Sequence, residues 1–193
     1  MSVSYVMSSA VIGLAIASVS QAAVATGADR MVNQARSTAG HQEAAEIARR
    51  FVAFVQVSRR YQDLSPEKVE RALGVHLHQN EDNLGYGIVD IGEGWSFAIS
   101  LSFPDRERRA LHVFIQNDSN TASAVSACLL PLEQTRTAWR EVGYYEWTER
   151  GEIGQLIGLD GSRDEITVHV DSRRVIVDGG RQCIANVVVT ADK

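Results

Sequence analysis

The sequence is poor in the residues that announce chemistry. It holds two cysteines and three prolines in 193 residues, and Lys68 and Lys193 are its only lysines. Two cysteines so far apart cannot by themselves make a zinc site, which takes four ligands. No G-x-S-x-G stretch occurs, which excludes the nucleophile elbow of many hydrolases. The glycine pairs Gly85/Gly87 and Gly92/Gly94 lie between strand-like runs and do not open a helix, so they form no phosphate cradle. No Pro- or Gly-rich linker divides the chain. The net charge is only -5, with both signs mixed and the arginines in scattered doublets, which excludes the basic footprint that nucleic acid or an anionic membrane requires.

Charge is also missing locally, since no charged side chain occurs from Met1 to Ala28. The core of that stretch, AVIGLAIASVSQAAVA, has the composition of a secretory h-region, and Ala23-Val24-Ala25 fits the small-x-small pattern of a cleavage site. Residues 1–25 are therefore expected to be a signal peptide and 26–193 a single domain, periplasmic or secreted. The n-region carries no Lys or Arg. Two other readings stand beside this one. As an inner-membrane anchor, the run would be followed by Arg30 and Arg36, placing the domain in the cytoplasm and making the membrane a partner. As a soluble helix it would join the core. Export would allow Cys128 and Cys183 to form a disulfide, the one intramolecular pairing open to them.

Downstream, HQEAAEIARRFVAFVQVSRRY (residues 41–61) repeats Ala44, Ile47, Ala48, Phe51, Phe54, Val55 and Tyr61 at helical spacing, which predicts an amphipathic helix. LSPEKVERALG predicts a second, with Ser65 as N-cap, Pro66 at the first position and Gly74 past the end. After Gly74 the period becomes two. In WSFAISLSF, Trp95, Phe97, Ile99, Leu101 and Phe103 alternate with Ser and Ala, and LGYGIVDI before it and ALHVFIQN after it complete a meander. CLLPLEQTRTAWREVG returns to helical spacing. The strands YYEWTE, EIGQLIGL, EITVHV, RVIVD and QCIANVVVT follow, with turn signals at Arg150-Gly151, Asp160-Gly161, Asp171-Ser172 and Gly179-Gly180. Together these predict an α+β fold: an antiparallel sheet of about six to eight strands packed against N-terminal helices, with one helix inserted between strands.

The catalytic inventory is thin, and no catalytic, cofactor-binding or metal residues are assigned. His76 and His78 lie two apart on a strand and lack the further ligand that a metal site needs. Asp160, Ser162, Asp164 and Asp171 fall at calcium-loop offsets, but Glu165 stands where the loop requires Gly, so the stretch reads as a polar hairpin turn. His112 and His169 sit among apolar neighbours in strands, as hydrogen-bonded structural histidines do. The binding inventory is richer. VGYYEWTERG places Tyr145 and Trp147 on one strand face and Tyr144 on the other, and Tyr and Trp are the usual anchors of protein interfaces. Tyr144, Tyr145 and Trp147 are the candidate partner-binding residues.

The layout, with its leader, amphipathic helix, sheet, helix headed by Cys128 and last strand holding Cys183, loosely resembles small exported immunity or inhibitor proteins of bacteria. The resemblance implies a non-enzymatic, periplasmic protein-binding domain that inhibits a secreted toxin or lytic enzyme, with another protein as partner and no cofactor or nucleic acid. The alternatives are a membrane-tethered assembly component with a cytoplasmic domain, and a cell-envelope enzyme using His112 or His169 with an acidic partner.

Overall fold

A computed structural model describes residues 27–193 apart from 81–82, 93, 118–127, 151–155, 172–174 and 179–180. The expected leader, residues 1–25, lies outside the described residues, as do most of the Arg150-Gly151, Asp171-Ser172 and Gly179-Gly180 turn signals.

Helix α1 spans Gly27–Val57. It begins earlier than the apolar repeat suggested and stops four residues before Tyr61. The stop has a local cause. Ser58 donates its hydroxyl back to the Phe54 carbonyl, and the Asp63 carboxylate accepts from the backbone N–H groups of Arg59 and Arg60. Those residues therefore leave the helical ladder, and Tyr61–Leu64 form a 3-10 turn. Helix α2, Pro66–Leu73, follows the predicted punctuation, with the Ser65 side chain accepting from the Lys68 N–H and Gly74 in the left-handed region at φ 71°.

Among the described residues ten strands follow: β1 (His78–Asn80), β2 (Asn83–Gly92), β3 (Trp95–Ser102), β4 (Arg108–Asn117), β5 (Tyr145–Arg150), β6 (Leu156–Arg163), β7 (Ile166–Asp171), β8 (Val175–Asp178), β9 (Arg181–Ile184) and β10 (Asn186–Asp192). Helix α3, Leu132–Glu141, is inserted between β4 and β5. Eight strands form an antiparallel sheet in the order β1-β2-β3-β4-β10-β7-β6-β5, and β8 and β9 make a separate ribbon. The fold is α+β, with the inserted helix where the sequence placed it. Two meanders, β1 to β4 and β5 to β7, are joined in the sheet by β10.

Two details differ from the sequence reading. Asp160 and Gly161 are not a turn but lie inside β6; the reversal comes at Asp164-Glu165, where Arg163 pairs with Ile166 and Asp164 takes φ 57°. The Asp-Gly signal is overridden because Leu159 and Gly161 face the core, Gly161 lying under the Tyr144 ring. The final apolar run is also two strands, interrupted at the buried Ala185, whose carbonyl accepts from the Ile115 N–H.

The core lies on one face of the sheet. Cross-strand rows such as Ile99–Val113–Val187–Val170–Leu159 are buried there. Burial at an alternation of two is what the sequence periodicity required. Helix α1 lays Ala44, Ile47, Phe51 and Val55 onto this face, and α3 adds Leu132, Thr135 and Trp139. At Gly40 α1 lies tight against β2: a Cβ there would stand 2.1 Å from the Asp90 carbonyl oxygen. Backbone cannot swing aside as a side chain can, so Gly40→Ala is expected to destabilise by about 2 kcal/mol in calorimetric unfolding.

Candidate binding surface

The register places on the opposite face a continuous row that crosses six strands: Ser100, His112, Val188, His169, Asp160 and Trp147. Beside it lie Ala98, Phe114 and Asn186, and on the other flank Ser102, Ala110, Thr190, Thr167, Ser162 and Tyr145. Most of these positions are partly exposed, in contrast to the buried rows behind them. All three helices belong to the other face: α1 through Gly40 against Asp90, α3 through Trp139 against the Tyr144 ring, and α2 through Leu73, whose carbonyl accepts from Arg50 of α1. The central positions of this open face on β3, β4, β10 and β7 carry no Lys, Arg or Glu; charge enters at its end, where Arg108 pairs with Asp192 at 2.7 Å.

Two histidines stand in this row on either side of Val188. The Asp160 carboxylate lies 2.6 Å from His169 Nδ1 and is itself mostly covered, whereas His169 is 38% exposed. This contact through Nδ1 orients the imidazole, so that Nε2 is the nitrogen not engaged by Asp160. His112 stacks on Phe114, ring centroids 5.6 Å apart at 15°. Burial pushes its pKa below the ordinary histidine value, which favours the neutral imidazole. The sequence offered no signal for the His169–Asp160 pair, because Asp160 read as part of a turn. Among the described residues, no group of three His, Cys, Asp or Glu side chains is placed to hold a metal ion. His76 instead pairs with Glu70 at 2.8 Å and meets His78 edge-on.

The three aromatic candidates separate. Tyr144 is only 5% exposed and donates its hydroxyl to the Val55 carbonyl at 3.1 Å, locking β5 to α1. Its place as a contact residue is therefore corrected: it stands immediately before β5 with its ring turned into the core, where its hydroxyl finds an acceptor. Tyr145 is 74% exposed at the far flank of the open face. Trp147 is described by its place in β5, opposite Asp160.

Cys128 and Cys183 are joined by a disulfide, their Cα atoms 5.3 Å apart. Pro131 bridges to Cys183, and the Ile184 N–H donates to the Leu130 carbonyl, so the lead-in to α3 is tied to β9. At the other end of α3, Arg136 and Arg140 converge on Glu146 of β5. The Arg136 guanidinium, with Arg140 beside it, holds the Glu146 carboxyl below its ordinary value. A lowered folded-state pKa stabilises the fold above the unfolded value and is lost as pH falls through the folded one. Wild type is thus expected to lose stability below about pH 4.5 more steeply than Glu146→Gln, measured as unfolding free energy against pH.

No helix among the described residues is long and apolar enough to cross a membrane. No protein-family model, curated protein or solved structure matches this chain.

Proposed function

We propose that this chain is an exported protein-binding domain whose partner docks on the open face of the sheet. The observation that carries the reading is the composition of that face at its central positions: hydroxyl, small, β-branched, imidazole and phenyl groups over four strands, without Lys, Arg or Glu. Depletion of charge at the centre is what distinguishes the middle of a protein interface from ordinary surface. The disulfide supports an oxidising compartment. The partner class that fits is a secreted toxin or lytic enzyme, inhibited by coverage, which asks for no catalytic group on this chain.

The test is a photo-crosslinking residue placed at Val188, with Glu43 on α1 as control, in protein expressed in its own host. A single protein captured at Val188 and not at Glu43, and lost on Ser100→Arg, is the expected result. Equal capture at both positions would overturn the assignment of the face. A second reading, a cell-envelope enzyme, is favoured by one observation, the Asp160 carboxylate on His169 Nδ1 at 2.6 Å. Such a pair orients a general base. It predicts that His169→Ala abolishes an activity without changing partner capture.

A further inference from the structure

We infer that the groove between α1 and α3 is a binding site for an anionic amphiphile, a fatty carboxylate of about a dozen carbons. Ala45, Ala48, Arg49, Val52, Ala53 and Gln56 form one stripe along α1 at spacings of three and four, facing the segment Cys128–Pro131 and α3 across an open cavity of about 500 Å³. That volume lies within the range of small-ligand pockets. The stripe from Ala45 to Gln56 runs about 16 Å along the helix axis, the reach of an extended aliphatic chain of that size. Leu129, Pro131 and Ala138 supply apolar wall opposite it and Gln134 and Thr135 polar wall, and the hydrogen bond from Gln56 Nε2 to the Ala138 carbonyl at 3.0 Å ties the helices at one end.

Charge selects the head group. One carboxylate, Glu46, serves two guanidiniums, Arg49 and Arg50, and is held at a pKa of about 2. The cluster therefore carries a net positive charge at pH 7. Arg50 turns away to the Leu73 carbonyl, while Arg49 stays 71% exposed on the groove side. A cation at the rim of this mixed trough suits a carboxylate head with its tail lying along its apolar strip, Val52 and Ala53. This site is separate from the sheet face and stands or falls independently of the partner-binding reading.

The experiment is calorimetric titration of the folded, oxidised protein with dodecanoate below its micelle concentration, and with dodecanol as the uncharged control. One saturable site is expected, tighter for dodecanoate. Arg49→Gln should weaken dodecanoate by about five-fold, the worth of an exposed ion pair, and leave dodecanol unchanged. Ala53→Trp, an exposed position where the ring fills the trough, should abolish both while the unfolding midpoint stays at the wild-type value. No saturable binding, or binding that survives Ala53→Trp, would overturn the site. Equal affinity for the two ligands, unmoved by Arg49→Gln, would overturn the choice of an anionic head.

Discussion

Replacing Arg163 with Met is expected to cost about 3 kcal/mol of stability, the largest loss from any single side chain outside the apolar core. Arg163 is 7% exposed, on the helix-covered face at the end of β6. Its guanidinium donates to the carbonyls of Gln56 and Ser58 at the end of α1 and of Val142 at the end of α3. These are terminal carbonyls that the helices cannot satisfy themselves. The positive charge also suits the negative ends of both helix dipoles. The group stacks 5.1 Å from the centroid of the Tyr144 ring, whose hydroxyl holds Val55 of the same α1 terminus. Met fills a similar volume but donates nothing, so the acceptors lose their partner. Arg163→Lys should recover only part of the loss, because one ammonium cannot span acceptors on two helices. Urea unfolding of the three proteins measures both differences. A loss under 1 kcal/mol for Arg163→Met would show that water satisfies these carbonyls equally well.

Removing the disulfide is expected to have a still larger effect. The bond closes a loop with a sequence separation of 55, for which the chain-entropy account gives about 4 kcal/mol. For a domain of this size that corresponds to a fall of about 12 °C in unfolding midpoint for the Cys128→Ala, Cys183→Ala double variant. Cys183 is fully buried, so its replacement adds the loss of sulfur packing. The loss should concentrate where the bond acts: the lead-in to α3, the β8–β9 ribbon and the break at Ala185. Amide exchange would then quicken at Ile184, whose N–H donates to Leu130, more than at Val113 in the middle of the sheet. Uniform acceleration at both would show that the bond raises global stability only.

Much of this architecture could be read from residue order. The alternation in WSFAISLSF marked the buried face of β3, and Ser65, Pro66 and Gly74 bounded α2 as found. What failed were signals that are local in form but tertiary in outcome. Asp160-Gly161 has turn chemistry, yet Leu159 and Gly161 must face Val168, Val170 and Tyr144, and the reversal slips to Asp164-Glu165. Tyr61 keeps the helical period of α1, but the Asp63 carboxylate draws the backbone out before it is reached.

The open face was only half legible. Alternation identified which residues lie opposite the core, but not which strands become neighbours. His112 and His169 lie 57 positions apart in the chain and flank the same valine only because β10 pairs with both β4 and β7. The His169–Asp160 contact depends on Asp160 being strand, which its own neighbours argued against. The α1–α3 groove was invisible because the apolar stripe facing the sheet dominates the helix pattern.

The position of β10 also bears on the time course of folding. Among the described residues it follows every other strand, yet it occupies the middle of the sheet and supplies the ladder between the two meanders. Until residues 186–192 are available, each meander can form only an open half with an unpaired edge, β4 in one case and β7 in the other. Closure of the long loop from β4 to β10 must wait until residues 186–192 are available, and pairings of such sequence separation form slowly. The pairing of β10 with β4 and β7 is therefore expected to be the last step in assembling the sheet.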